Sequence, residues 1–212
     1  DLHSFPTRRS SDLVGGHPHK IAEPCLTARE RSPMHPQHTK LMRATIRYDA
    51  GDPKRIQHFI KVHSFAALIG TAEGLSKADL FVLETAAILH DIGIHQAEAK
   101  HHSSAGVYQE LEGPPIAADL LKACGGYTEA QINRVCFLIG HHHTYTAIDG
   151  RDYQILVEAD FLVNLYENAA SADAVASARQ RIFKTATGLA LLDALFPPAV
   201  GAPQYQIGRA HV

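Results

Sequence analysis

Between residues 37 and 197 one helical pattern follows another, and this succession constrains the fold more than any other feature of the sequence. Apolar residues recur at the three- and four-residue spacing of a helix, and no segment alternates with the period of two typical of a strand. Three helix starts carry recognisable N-terminal caps: Asp52 with Pro53, Ser76 with Asp79, and Thr128 with Gln131. We therefore predict an all-α, single compact domain of about six to eight helices.

The composition is that of a globular protein without an electrostatic preference for polyanions. Hydrophobic residues make up 45% of the 212 residues, charged residues 20%, and the formal net charge is -2. This charge gives no reason to expect nucleic acid or an anionic membrane as a partner. The three cysteines form no Cys-x-x-Cys pair and no run of about 18 apolar residues occurs. We expect a cytoplasmic protein; a homodimer is compatible with the sequence.

Both ends of the chain resemble translated sequencing adapters rather than protein. The opening "DLHSFPTRRSSDL" and the closing "QIGRAHV" each back-translate to a common library adapter. We therefore predict an artefactual or disordered arm over residues 1–36, adapter-like in 1–13, with Met34 as a candidate start. The helical domain is expected over 37–197, followed by a disordered tail over 198–212 that is adapter-like in 206–212.

Polar residues that are costly to bury occur on otherwise apolar helices. His63 lies on the apolar side of its helix, and Asp160 lies inside the run "ILVEADFLVNL". His90 and Asp91 follow the apolar run "FVLETAAIL", at the end of its helix. A buried His or Asp needs a partner, a hydrogen bond or a metal ion. Any one of them alone is more often a satisfied core residue, but four on three helices favour a shared site.

This pattern resembles the HD superfamily of metal-dependent phosphohydrolases, over about residues 40–196. The resemblance rests on a His in one helix, "HDIG" ending the next, and "EAD" in a later apolar helix. The segments "QELEGPPIA" and "LIGHHHTY" are similar to those of small stand-alone bacterial HD proteins. The resemblance implies a helical HD domain with His63, His90, Asp91 and Asp160 as metal ligands.

Two imidazoles and two carboxylates form a mixed nitrogen and oxygen ligand set. Such a set suits Mn²⁺, Fe²⁺, Co²⁺, Ni²⁺ or Mg²⁺ better than a thiolate site would. We expect one divalent ion, or two, and Gly93 is expected to allow the helix to end so that both His90 and Asp91 turn towards one ion.

A second tier of residues is less specific. The "HHH" at 141–143 follows a helix end, and His141 or His142 is expected to contact substrate or act as general acid, beside Asp91. His102, His143, Glu112 and Lys184 are candidates for a second metal or for substrate contacts, with Glu112 orienting a site histidine. For each, an ordinary surface charge or a solvated histidine is the competing interpretation.

The leading function is hydrolysis of a small phosphorylated metabolite, expected to be a nucleotide, by metal-activated water. One alternative is a non-catalytic HD sensor that binds a nucleotide or a metal. Another is an HD-type diiron oxygenase, for which the additional histidines could supply ligands.

Overall fold

The chain folds into helices throughout the part that the computed structural model describes, residues 34–197. No strand occurs among these residues, which confirms the predicted all-α domain. The helices are α1 (Pro36–Tyr48), α2 (Pro53–Ala72), α3 (Lys77–Leu89), α4 (Ile94–His101), α5 (Gly106–Cys124), α6 (Glu129–Ile139), α7 (Arg151–Glu167), α8 (Ala172–Arg181) and α9 (Ala186–Leu195). The adapter-like segments 1–13 and 206–212 lie outside the described residues.

The predicted caps are present at the N-termini of α2, α3 and α6. The Asp52 side chain accepts a hydrogen bond from the backbone N–H of Arg55 at the start of α2. The Ser76 hydroxyl accepts a hydrogen bond from the backbone N–H of Asp79 at the start of α3. Thr128 and Gln131 form a reciprocal capping box at the start of α6. Each cap satisfies backbone donors that the first turn of a helix leaves without a partner.

Helix α7 lies at the centre of the domain. Its apolar residues are buried on several sides of the helix, as expected of a helix enclosed by others. Helix α2 packs against α7 and also against α3, while α5 packs against α4 and α6. The three central helices, α2, α3 and α7, therefore share one core, and polar residues on them meet inside it.

The structure has more helices than the sequence predicts because two segments differ from the expected pattern. Residues 94–101 form the separate short helix α4. The apolar spacing of about 176–196, before Pro197-Pro198, predicts one last helix, but the structure has α8 and α9 there, separated near Thr185. The buried Glu158 carboxylate accepts hydrogen bonds from the backbone N–H groups of Lys184 (2.6 Å) and Thr185 (2.9 Å). These bonds hold the break between α8 and α9 against α7.

Helix α5 continues through Pro114 and Pro115, where the sequence favours a turn after Gly113. A proline inside a helix removes one backbone donor and crowds the preceding turn. The helix passes close to its neighbours here, and the Cys136 thiol donates to the carbonyl of Pro114 (3.3 Å). Packing against α6 thus keeps this segment helical.

Among residues 34–197, no helix combines the length and apolar character needed to cross a lipid bilayer.

Candidate metal centre

The end of α3 presents two adjacent side chains to the interior. His90 caps α3 and is fully buried, and its Nδ1–H donates to the carbonyl of Ala87 (3.0 Å). A carbonyl only accepts hydrogen bonds, so Nδ1 carries the hydrogen and Nε2 of the neutral ring offers a lone pair. Asp91 follows in the turn, and its side chain remains 21% exposed. Solvent therefore reaches this group of residues beside Asp91.

His58, on α2, is also held through its Nδ1 nitrogen. Its Nδ1–H donates to Glu167 Oε2 (3.0 Å), and the other carboxylate oxygen of Glu167 pairs with Lys61. The ring is thereby oriented with Nε2 towards His90, and the two Nε2 atoms lie 3.1 Å apart. A carboxylate behind an imidazole is the usual arrangement that fixes the tautomer of a metal-ligating histidine.

Asp160 of α7 completes the group. It is 3% exposed, and its Oδ1 lies 3.1 Å from His58 Nε2 and 3.5 Å from His90 Nε2. The side-chain amide of Asn164, one turn later, donates to the same oxygen (2.8 Å). Asp160 is thus held in place from its own helix.

The geometry of these four residues fits one divalent ion. Asp91 Oδ2 lies 3.4 Å from His58 Nε2 and 3.5 Å from His90 Nε2. Ligand atoms that bind one ion at about 2.1 Å lie about 3.0–3.4 Å from each other. Two imidazole lone pairs and two carboxylates facing one point would repel each other without a positive charge between them. The donor set and its spacing therefore suit a cation.

Asp91 also faces a second group through its other oxygen. His142 is fully buried, and its Nε2 lies 3.4 Å from Asp91 Oδ1 and has no hydrogen-bond partner. His142 Nδ1–H donates to the carbonyl of Ile139 (2.7 Å), so its Nε2 also offers a lone pair. Asp91, His142 and His143 are close enough to hold an ion of their own.

The turn that carries these histidines is fixed by residues from α5. The Glu110 carboxylate accepts from the backbone N–H of His143 (2.9 Å) and from the Thr144 hydroxyl (3.1 Å). Gly106 packs against the ring of His143, where a Cβ would lie 2.7 Å from the His143 side chain. The turn between α6 and α7 is therefore held against the start of α5.

The charges of the group stabilise one another. Burial alone would lower the pKa of His58, but its hydrogen bond to Asp160 and the charge of Asp91 raise this pKa to about 9. Burial alone would raise the pKa of Asp160, but the hydrogen bonds from His58 and His90 hold it well below its usual range. A positive charge is thus favoured at the point where the two carboxylates meet.

His63, predicted as a ligand, is not part of this group. Its Nε2 lies 3.0 Å from Glu84 Oε2, beside His38. His58 takes the position beside His90 that the sequence assigns to His63. The two histidines are five positions apart, about 140° around the helix and about 7.5 Å along it. Helix α2 is buried against α7 on one side and α3 on another, so both histidines are buried while facing different neighbours.

The structure places the second-tier residues as follows. His143 and His142 lie in the group with Asp91. His141 is in neither group: its Nδ1–H donates to the carbonyl of Phe137 (2.7 Å), and its ring stacks on that of Phe137. His102 ends α4 in a left-handed conformation (φ 53°) and is exposed.

Two further corrections concern the charged residues of the second tier. The predicted orienting carboxylate Glu112 pairs with Lys100 (2.7 Å) and His101 (2.9 Å), and Glu110 holds the histidine turn in its place. Lys184 directs its ammonium group to the carbonyl of Gln180 (3.2 Å), beside the break between α8 and α9.

Sequence reasoning missed His58, Glu167 and Glu110. The sequence contains one weak signal for His58, because Lys61 lies three positions later and so shares a face of α2 with it. In the structure this face contacts Glu167. Glu110 lies inside the segment "QELEGPPIA", two positions before Glu112, and only the face of α5 on which each lies distinguishes the two carboxylates.

Gly93 has a different role from the one predicted. Its φ of -78° is ordinary, and α3 ends at Leu89, before it. A Cβ at Gly93 would lie 2.6 Å from the backbone nitrogen of Gly113 and 2.8 Å from the carbonyl oxygen of Gln109. Gly93 therefore permits the close contact between the His90-Asp91 turn and α5.

Gly93→Ala is expected to destabilise the domain, because backbone atoms of α5 cannot move aside as a side chain can. Overpacking costs about 1–3 kcal/mol, which lowers Tm by about 3–10 °C for a domain of this size. Gly113→Ala is the matched control, since its Cβ would meet the side chain of Ile139 (2.7 Å) and a rotamer change can relieve that contact. Thermal unfolding should show the larger loss for Gly93→Ala; equal losses would contradict this role.

The chain matches the model of a known protein family. Residues 55–186 fit the family model described as the HD domain, a segment that spans more than half of the chain and includes His58, His90, Asp91 and Asp160. No curated protein and no solved structure matches the chain.

Proposed function

This chain belongs to the HD-domain family, whose members are mostly metal-dependent hydrolases, and we propose that it is itself a metal-dependent phosphohydrolase. The proposed substrate is a small phosphorylated metabolite, a nucleotide above all. The observation that supports this function best is the convergence of His58 Nε2, His90 Nε2, Asp91 Oδ2 and Asp160 Oδ1 on one point.

We propose these four residues as ligands of a divalent ion such as Mn²⁺, Fe²⁺, Co²⁺, Ni²⁺ or Mg²⁺. Nitrogen and oxygen ligands without a thiolate suit these ions. We propose a second ion at Asp91, His142 and His143, in which case the two oxygens of Asp91 would serve one ion each. The buried, unpaired Nε2 of His142 supports this, because an orphaned acceptor is costly without a ligand.

When bound, a divalent ion supplies a Lewis acid that lowers the pKa of a coordinated water and stabilises negative charge on a phosphoryl group. The part of this chain is to hold the ligand side chains in a fixed orientation. Glu167 and the carbonyls of Ala87 and Ile139 fix the histidine rings before substrate binds. The exposed side of Asp91 is the approach for the phosphate.

Two side chains beside that approach are suited to hydrogen bonding with the substrate. The Tyr145 hydroxyl lies 3.4 Å from His143 Nδ1, and burial together with the charge of Asp160 raises the pKa of Tyr145 to about 12. It therefore remains protonated and can donate to a phosphate oxygen. Burial and the neighbouring His142 lower the pKa of His143 to about 4, so His143 is neutral at pH 7.

The test is product release by the full chain with Mn²⁺, measured as phosphate for mononucleotides, pyrophosphate and simple phosphomonoesters and as mononucleotide for dinucleotides. We expect release from at least one class, reduced at least about 100-fold in a folded His90→Ala/Asp91→Ala double variant. His102→Gln, an exposed histidine outside both groups, is the control and should retain full activity. No release by the folded, metal-loaded protein would overturn the proposal and favour a sensor, or an oxygenase if iron gives an O₂-dependent spectrum.

A further inference from the structure

His38, His63 and Glu84 form a third cluster of potential ligands, on the side of α2 that faces α3. They come from α1, α2 and α3 respectively, and their ligand atoms lie within 4.8 Å of one another. Glu84 Oε2 lies 3.0 Å from His63 Nε2 and 3.2 Å from His38 Nδ1. Both histidines are buried, at 1% and 5% exposed. Three helices thus contribute one polar group each to a single buried point.

The hydrogen bonds of His38 determine which nitrogen faces this point as an acceptor. His38 Nε2 lies 3.2 Å from the carbonyl oxygen of Phe81 and 3.1 Å from the hydroxyl oxygen of Thr85. That hydroxyl donates its own hydrogen to the same carbonyl (2.7 Å), so both oxygens accept from His38. Nε2 therefore carries the hydrogen, and Nδ1 of the neutral ring has a lone pair on the side of Glu84.

An acceptor nitrogen close to a carboxylate oxygen is unfavourable unless a positive charge lies near both. His38 Nδ1 is buried and has no hydrogen-bond partner, although Glu84 Oε2 is only 3.2 Å away. A buried acceptor without a partner costs about 1–3 kcal/mol. Either an additional proton on His38 or a metal ion would remove this cost.

We propose that His38, His63 and Glu84 bind a divalent transition-metal ion of the zinc type, at a site separate from the candidate metal centre. The distances of 3.0 and 3.2 Å match the spacing of about 3.0–3.4 Å between ligands of one ion. Two imidazoles and a carboxylate, without thiolate, are a suitable donor set. The Glu84 side chain is 16% exposed, which leaves an approach for the ion and for water as a further ligand.

This site uses a part of the chain that the HD match does not include. His38 lies on α1, before the matched residues 55–186. His63 faces away from the candidate metal centre, five positions after His58 on the same helix. The expected effect of the ion is to fasten α1 to α2 and α3, so its role is structural and does not depend on the proposed hydrolysis.

The first test locates the ion in the full chain. Crystals grown with Zn²⁺ should give an anomalous difference peak at the zinc edge between His38 Nδ1, His63 Nε2 and Glu84 Oε2, in addition to any peak at His58. A structure with zinc at His58 and none at His38 would overturn the proposal, and so would an imidazolium of His38 hydrogen-bonded to Glu84 in the presence of excess Zn²⁺.

The second test counts ions in solution. Zinc bound per chain, measured after gel filtration, should fall by one in His38→Gln and in Glu84→Gln, and the zinc-dependent rise in Tm should shrink in both. His35→Asn is the matched control: it removes an exposed imidazole from the same helix start and supplies another capping side chain. Unchanged zinc content in either folded variant would refute the site, whether or not the protein hydrolyses phosphoesters.

Discussion

His58→Gln is expected to abolish metal-dependent hydrolysis, with a loss of at least about 100-fold in kcat/KM. The substitution removes one of four converging ligand atoms and leaves Asp160 and Asp91 facing each other with less positive charge between them. Glutamine is close in size to histidine, so the effect reports the lost imidazole rather than an empty space. Mn²⁺ affinity, measured by calorimetry, should fall together with activity.

His63→Gln provides the discriminating comparison. It lies on the same helix and is also buried, but its ring contacts Glu84 instead of the candidate centre. We expect hydrolysis within about threefold of the unmodified chain at temperatures where the variant is folded. If His63→Gln abolished hydrolysis while His58→Gln retained it, the ligand assignment derived from the geometry would be wrong.

Glu158→Leu is expected to be the most destabilising of these substitutions. The Glu158 carboxylate accepts from two backbone N–H groups at the start of α9 and from the side chain of Gln154 (2.8 Å). Leucine fills the space but leaves these donors without their protein partner. The total cost is less than about 1–3 kcal/mol per donor, because Lys184 is exposed and Thr185 is half-buried, so water can replace part of the lost bonding. We expect a loss of about 2–4 kcal/mol, or about 5–15 °C in Tm.

Glu158→Gln is the matched variant for this test. Its amide oxygen can still accept from the N–H groups of Lys184 and Thr185, while its NH₂ group can donate to the Thr185 hydroxyl. Its loss of stability should therefore be clearly smaller than that of Glu158→Leu in urea unfolding. Equal losses would show that the charge of Glu158, rather than its hydrogen bonds, stabilises the α8–α9 break.

The sequence predicts the fold class and most helix starts because both depend on local patterns. Caps at Asp52, Ser76 and Thr128 act within one turn, and the structure contains all three. The break near Thr185 was not predictable in this way, since it depends on Glu158, 27 residues away in sequence.

The candidate site was predictable where a residue's position on its helix decides its direction, as at His90-Asp91 and Asp160. The ligand on α2 was not predictable, because a helix that is buried on two sides can direct polar side chains into two separate clusters. His58 and His63 both satisfy the apolar spacing, and only the packing of α2 between α3 and α7 distinguishes them. Which cluster each histidine joins depends on the distances between helices, and sequence periodicity gives no information about these distances.

The hydrogen bonds behind the three histidines have a consequence for how the protein responds to metal supply. His58, His90 and His142 each have Nδ1 fastened to an oxygen of the chain, so their Nε2 atoms are already aimed before any ion binds. Ion capture then orders few side chains and requires little movement of the backbone. Occupation of the proposed site by an ion would offset the repulsion among these atoms, so the Tm of the folded chain would rise with the free metal concentration.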